Sequence, residues 1–148
     1  MESDSEEPAW AVAVSTNESN GRQIIFRYVE ELSSTLDRAS QLDRIIIVWK
    51  YQSQSGQPVS EELQRMTLLE DSLASALEED HFATLALVTT GENLREWTYY
   101  AESDDQFLAR LNLALHGMPV FPIEIHTAHD PTWSVYTQFM AGVKKTVN

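Results

Sequence analysis

The chain has 148 residues, 43% of them apolar and 22% charged, with no cysteine and a formal net charge of −13. That length suits one domain and can bury a core without staples, and the missing cysteines exclude disulfides, thiolate metal sites and cysteine nucleophiles and fit a reducing compartment. Twenty-three Asp and Glu against ten Lys and Arg disfavour direct nucleic-acid binding, which needs clustered cations; the acidity fits a charge that simply keeps the chain soluble or one that draws a basic protein partner.

Residues 1–8 form an acidic segment with neither the basic start nor the apolar run of a signal peptide. No apolar run approaches the roughly 18 residues of a membrane span. The expectation is a soluble, cytoplasmic protein: a disordered acidic tail over 1–8 and one domain over 9–148. Residues 10–14 and 23–29 predict two strands, joined through Asn20-Gly21 as a hairpin with a longer loop. Residues 30–42 are polar, with Leu32, Leu36 and Ala39 at near-helical spacing, and predict a short helix or an irregular connection.

Residues 45–51, Ile-Ile-Ile-Val-Trp-Lys-Tyr, do not alternate between apolar and polar. Such a run predicts a central strand covered on both faces. After a loop over 52–58, a helix is predicted from about 59 to 79, with Leu63, Met66, Leu69, Leu73 and Leu77 inward. Pro58 suits its entry, Ser60 its cap, and Glu61 and Glu62 its positive end. Residues 82–88 and 94–100 predict an antiparallel pair around a turn at 90–93. Ser103 and Gln106 form a capping box for a helix burying Phe107, Leu108, Leu111 and Leu115 and ending at Gly117. Pro122 inside 118–126 predicts an edge strand, or one that starts after it. Asp130 as N-cap and Pro131 at the first helical position start a last helix with Trp133, Tyr136 or Thr137, and Met140 inward; Lys144 and Lys145 suit its negative end. From residue 43 the order is strand, helix, strand, strand, helix, strand. This predicts an α+β fold: a ferredoxin-like split βαββαβ sandwich with an added N-terminal hairpin and C-terminal helix.

No phosphate-binding glycine loop or nucleophile elbow occurs. His126 and His129 beside Asp130 are the one ligand-like cluster, short of the three or four converging ligands that zinc takes. Glu78-Glu79-Asp80 and Asp104-Asp105 are the candidate acid/base pairs, and solvent-facing helix ends account for both. Trp49, Tyr51, Trp97 and Tyr99 on the central strands read as core, since the cations of an RNA-binding sheet are missing.

The run from Gly56 through Pro58, Glu61, Glu62 and Leu63 to Leu69-Glu70-Asp71-Ser72-Leu73 resembles the loop-and-helix signature of the bacterial domain-of-unknown-function family 695. Asp130-Pro131-x-Trp133-x-x-Tyr136 resembles that family's close, and the regulator-of-ribonuclease-E-activity B group has a similar Trp-x-x-Tyr ending. The resemblance spans most of residues 10–140. It implies no enzymatic activity and no cofactor; some members look like immunity proteins that neutralise a toxin. The ribonuclease-regulator group implies binding and inhibiting a protein, but this chain lacks its long acidic C-terminal tail. Gly56, Pro58, Asp130, Pro131, Trp133 and Tyr136 are then motif positions with structural roles. The expected function is a non-enzymatic protein-binding module, an immunity protein or inhibitor of a basic toxin or nuclease, with Glu61, Glu62, Glu70, Asp104 and Asp105 facing the partner. The alternatives are a small ligand-binding domain or enzyme with a pocket around Trp97, Trp133 and Tyr136, and a homo-oligomer paired through an open sheet edge.

Overall fold

A computed structural model describes residues 8–33 and 36–147, with 144–147 by backbone alone. The expected acidic tail, and the expected pairing of Lys144 and Lys145 with a helix end, therefore fall on residues or side chains outside that description. The elements in chain order are β1 (Ala9–Thr16), β2 (Gln23–Glu31), a 3-10 turn (Arg38–Ser40), β3 (Asp43–Lys50), α1 (Ser60–Leu77), β4 (Ala83–Gly91), β5 (Leu94–Ala101), α2 (Asp104–Leu115), β6 (Ile123–His129) and α3 (Ser134–Val147). The fold is mixed α+β. Its six strands form one sheet in the order β1-β2-β4-β5-β3-β6. Every neighbouring pair is antiparallel.

The sheet has two covered faces because successive side chains alternate across it. Ile45, Ile47 and Trp49 of β3, with Trp97 and Tyr99 of β5, point to one face, where Met66, Leu69, Leu73 and Leu77 of α1 and Phe107 and Leu111 of α2 close over them. Tyr100, Val29 and Ala86 point to the other, beneath Trp133 and Tyr136. The aromatic residues expected as core are core.

The run at 45–51 is thus a strand between β5 and β6, but its two faces differ. Ile45, Ile47 and Trp49 are fully buried, Val48 is buried, Ile46 is half-buried and Lys50 is exposed. α3 lies over the hairpin side of the sheet and leaves this end of its face part-open. Leu63 and Leu68 of α1 are likewise exposed, and Leu108 and Leu115 of α2 are only half-buried. β6 starts after Pro122, at the sheet edge, as a strand with a donor-less residue before it should.

Two helix starts differ from expectation. Val59, not Ser60, is the N-cap of α1, and no side chain caps it. α3 starts at Ser134, not at Pro131. Asp130 to Trp133 form a turn closed by the Trp133 N–H on the Asp130 carbonyl (3.0 Å). Trp133 then sits at φ 55°, a left-handed backbone that cannot be part of a helix. The Asp130 carboxylate still caps α3, accepting the Ser134 N–H at 2.9 Å. Of residues 30–42, the first two belong to β2, the other described ones are irregular apart from the 3-10 turn, and Leu32 and Leu36 pack against the α3 cluster.

Candidate functional site

Polar side chains converge at two places on opposite faces of the sheet. The first is built on Asp130, which the β6–α3 turn swings over β3 and β5. Its carboxylate accepts from Arg44 (2.9 Å), the Tyr100 hydroxyl (3.1 Å) and the Ser134 N–H and hydroxyl. Burial alone would raise this carboxyl, but these four donors outweigh it and hold it below the usual carboxylate range. Burial, with Asp130 beside it, pushes the Tyr100 hydroxyl well up. The Trp133 ring stacks on Tyr100 at 4.2 Å and 5°, its indole N–H donates to the Gln41 carbonyl (2.8 Å), and the Arg38 guanidinium covers it at 4.7 Å. Tyr136 donates its hydroxyl to the Val29 carbonyl. Asp130, Trp133 and Tyr136 therefore clamp α3 to the sheet, while Pro131 is exposed at the turn. Trp97, expected near Trp133 and Tyr136, is on the opposite face of the sheet from both.

The second place lies on the α1 face. Strand register sets Val14, Ile25, Thr90, Arg95 and Trp49 in one cross-strand row, and Val12, Arg27, Val88, Trp97 and Ile47 in the next. Glu70 reaches down from α1 into the second row, where it accepts from Arg27 and from the Trp97 indole N–H (2.9 Å). Burial would raise the Glu70 carboxyl, but Arg27 leads the groups that lower it. Glu62 similarly accepts from the Trp49 indole N–H at 2.7 Å. Gly56, at φ 83°, closes the loop before α1: its carbonyl accepts from the Tyr51 hydroxyl (2.6 Å) and the Asn93 N–H (3.0 Å). Pro58 lies one residue before the cap.

The five acids expected to face a partner separate accordingly. Glu61 and Asp105 are exposed. Glu62 and Glu70 are bonded to core tryptophans, and Asp104 is half-buried, its N–H donating to Asp43 (3.0 Å). Glu78, expected to face solvent at the end of α1, instead turns inward and accepts the Leu85 N–H at 3.1 Å, beside the bulge in β4. Burial raises its carboxyl. Nothing in residues 78–80 signals this, because the bulge that frees the Leu85 N–H is not written in the local pattern. His129 lies 3.1 Å from Asp43, and His126 is exposed. Among the described residues no three His, Asp or Glu side chains gather as metal ligands, and no helix is long and apolar enough to cross a membrane.

A family model described as a family of unknown function, DUF695, matches residues 8–141. No curated protein matches the chain.

Proposed function

The chain belongs to DUF695, a family of unknown function, and on that premise we propose that it is a non-enzymatic protein-binding module for a basic protein, acting as an immunity protein or inhibitor of a toxin or nuclease. The distribution of charge carries this reading. Every described Lys and Arg side chain has a carboxylate or an aromatic ring beside it, although Lys50 and its partner Glu124 are both mostly exposed. Arg22, Arg27, Arg44, Lys50, Arg95 and Arg110 lie within ion-pair distance of carboxylates, and Arg38 and Arg65 lie over tryptophan rings. Glu61, Asp71, Glu102 and Asp105 are exposed and form no ion pair among the described residues. The surplus negative charge thus faces outward, where it speeds capture of a basic partner by about 10- to 1,000-fold.

The test is capture from an extract of the source cell at low salt. We expect a basic protein, released by roughly 0.5 M salt as screening shortens the field, and not retained by a variant carrying Glu61→Gln, Asp71→Asn, Glu102→Gln and Asp105→Asn. A captured protein that ignores both salt and the four substitutions would sink the proposal.

Two finer readings accompany it. The order β4-β5-β3-β6 with α1 and α2 on one face supports a ferredoxin-like unit carrying the β1–β2 hairpin at one side. The absence of cysteine supports a cytoplasmic location.

A second reading, a homo-oligomer, is favoured by the contrast between the two sheet edges. β6 is guarded by Pro122, Glu124 and His126, whereas β1 carries no charge and no proline over its eight residues. Its run Trp10-Ala11-Val12-Ala13-Val14 is near-symmetric about Val12, so an antiparallel pairing of two copies sets large residues against large and alanine against alanine.

A further inference from the structure

Arg95 is the most buried cation of the described residues, with 8% of its surface exposed. Its guanidinium makes no hydrogen bond. The nearest carboxylate oxygen, on Glu70, is 3.7 Å away, beyond hydrogen-bond reach, and that carboxylate already accepts from Arg27 and Trp97. The Nε of Arg95 is shut off from solvent without an acceptor. The guanidinium lies over the Trp97 ring at 5.1 Å. A buried guanidinium nitrogen left without an acceptor is costly, and native folds rarely keep one unless something else supplies the acceptor.

What lies beside it is a groove of about 370 Å³. Val12, Ile25, Arg27, Val88, Thr90 and Arg95 form its floor, two adjoining cross-strand rows, and Pro58, Leu63 and Gln57 form its rim. Besides the neutral side chains of Thr90 and Gln57, the polar groups lining it are two guanidiniums that share one carboxylate. In a chain of net charge −13 this is a local surplus of positive charge, set at one end of an apolar trough. The volume is within the range of small-ligand sites, roughly 300–1,000 Å³.

We propose that this groove binds a carboxylate carried on an apolar body. The guanidinium edge of Arg95 takes the carboxylate, and the apolar part lies along Val12, Ile25, Val88 and Leu63. Two sources present that chemistry: a free aliphatic or aromatic acid, and the C-terminal carboxylate of a chain ending in an apolar residue. The inference is independent of the exposed acids discussed above, none of which lines the groove.

Calorimetric titration of the full chain tests it, with hexanoate, phenylacetate and N-acetyl-Leu-Phe as probes, each against its neutral amide, and with inorganic phosphate. We expect each bound acid to exceed its amide by about tenfold or more, the margin of a charge-assisted contact. Binding should also shift the Arg95 Nε–H resonance. Preference for the two simple acids assigns a free small molecule; preference for the peptide acid assigns a chain terminus. Arg95→Gln should erase the difference between acid and amide. Leu63→Trp, at an exposed rim position that leaves the core alone, should weaken every probe by about tenfold through lost volume. The proposal is overturned if the amides match the acids, if phosphate binds as tightly as the acids, if Leu63→Trp changes nothing, or if the folded wild-type chain binds none of the probes.

Discussion

Asp130 shows how one carboxylate can hold an entire face in place. It accepts from β3 through Arg44, from β5 through Tyr100 and from α3 through Ser134. Asp130→Asn keeps the shape but loses the charge and presents an N–H₂ where an acceptor is needed. We expect a loss of about 2–4 kcal/mol in urea unfolding at neutral pH, the cost of breaking a buried charged network. The pH dependence has a definite sign. The folded carboxyl titrates below its unfolded value, so its stabilisation is complete above about pH 4, the unfolded pKa, and is lost as pH falls through the depressed folded value. The variant should therefore show a shallower acid limb than wild type. Glu78 has the opposite sign. Its folded carboxyl titrates above the unfolded value, so stability falls as pH rises through it. Glu78→Gln retains an acceptor for Leu85 and should stabilise by roughly 0.5 kcal/mol at pH 8, an advantage absent at pH 4. Asp130 was legible as a helix cap in the sequence because an Asp-Pro pair before an amphipathic run is a local signal. Glu78 was not, because its partner is the backbone of a bulge seven residues away.

At the level of elements, the hairpins, the edge position and late start of the proline-bearing strand, and the buried residues Met66, Leu69, Leu73 and Leu77 of α1 and Phe107 and Leu111 of α2 followed from turn residues and periodicity. The exposure of Leu63 and the start of α3 did not. A left-handed Trp133 is unfavourable alone and persists only because Tyr100, Gln41 and Arg38 fix the indole from three sides. Those contacts are long-range, so no window of sequence contains them. The same holds for Gly91, where a Cβ would stand 2.7 Å from the Gln23 carbonyl and 2.8 Å from the Ile24 Cα of the neighbouring strand. Both obstacles are backbone, and Gly91→Ala should destabilise by about 2–3 kcal/mol, in the range of overpacked cores. At Gly117 nothing lies within 4 Å, so Ala meets only the left-handed backbone at φ 81° and should cost about 1 kcal/mol. Chemical denaturation of the two variants side by side separates crowding from conformational strain. The Arg95 groove was equally invisible in sequence, because its rows are assembled from four strands whose order only the register reveals.

For the whole molecule, the self-pairing reading rests on β1, the sheet edge without charge or proline. Placing a charge at the centre of β1 should act on self-association while leaving the fold intact, since Val12 is 64% exposed. Val12→Lys should move the chain to a single monomeric species in sedimentation at all concentrations, where wild type shifts toward dimer as concentration rises. If wild type stays monomeric at high concentration, β1 is not a self-pairing edge.

The position of β2 beside β4 also has a consequence in time. Val29 receives the hydroxyl of Tyr136 across 107 positions of chain, and Ile25 pairs with Thr90. At a synthesis rate of about 5–20 residues per second, β1 and β2 wait roughly 5–20 s for the last of these partners to emerge. Contacts this distant in sequence close late, so amides of β1 and β2 should gain exchange protection after those of β4 and β5 in a refolding pulse experiment. The hairpin is thus made before its partners and secured after them. While it waits, the uncharged edge of β1 lacks its final support, a state that favours exchange of hairpins between copies at high concentration.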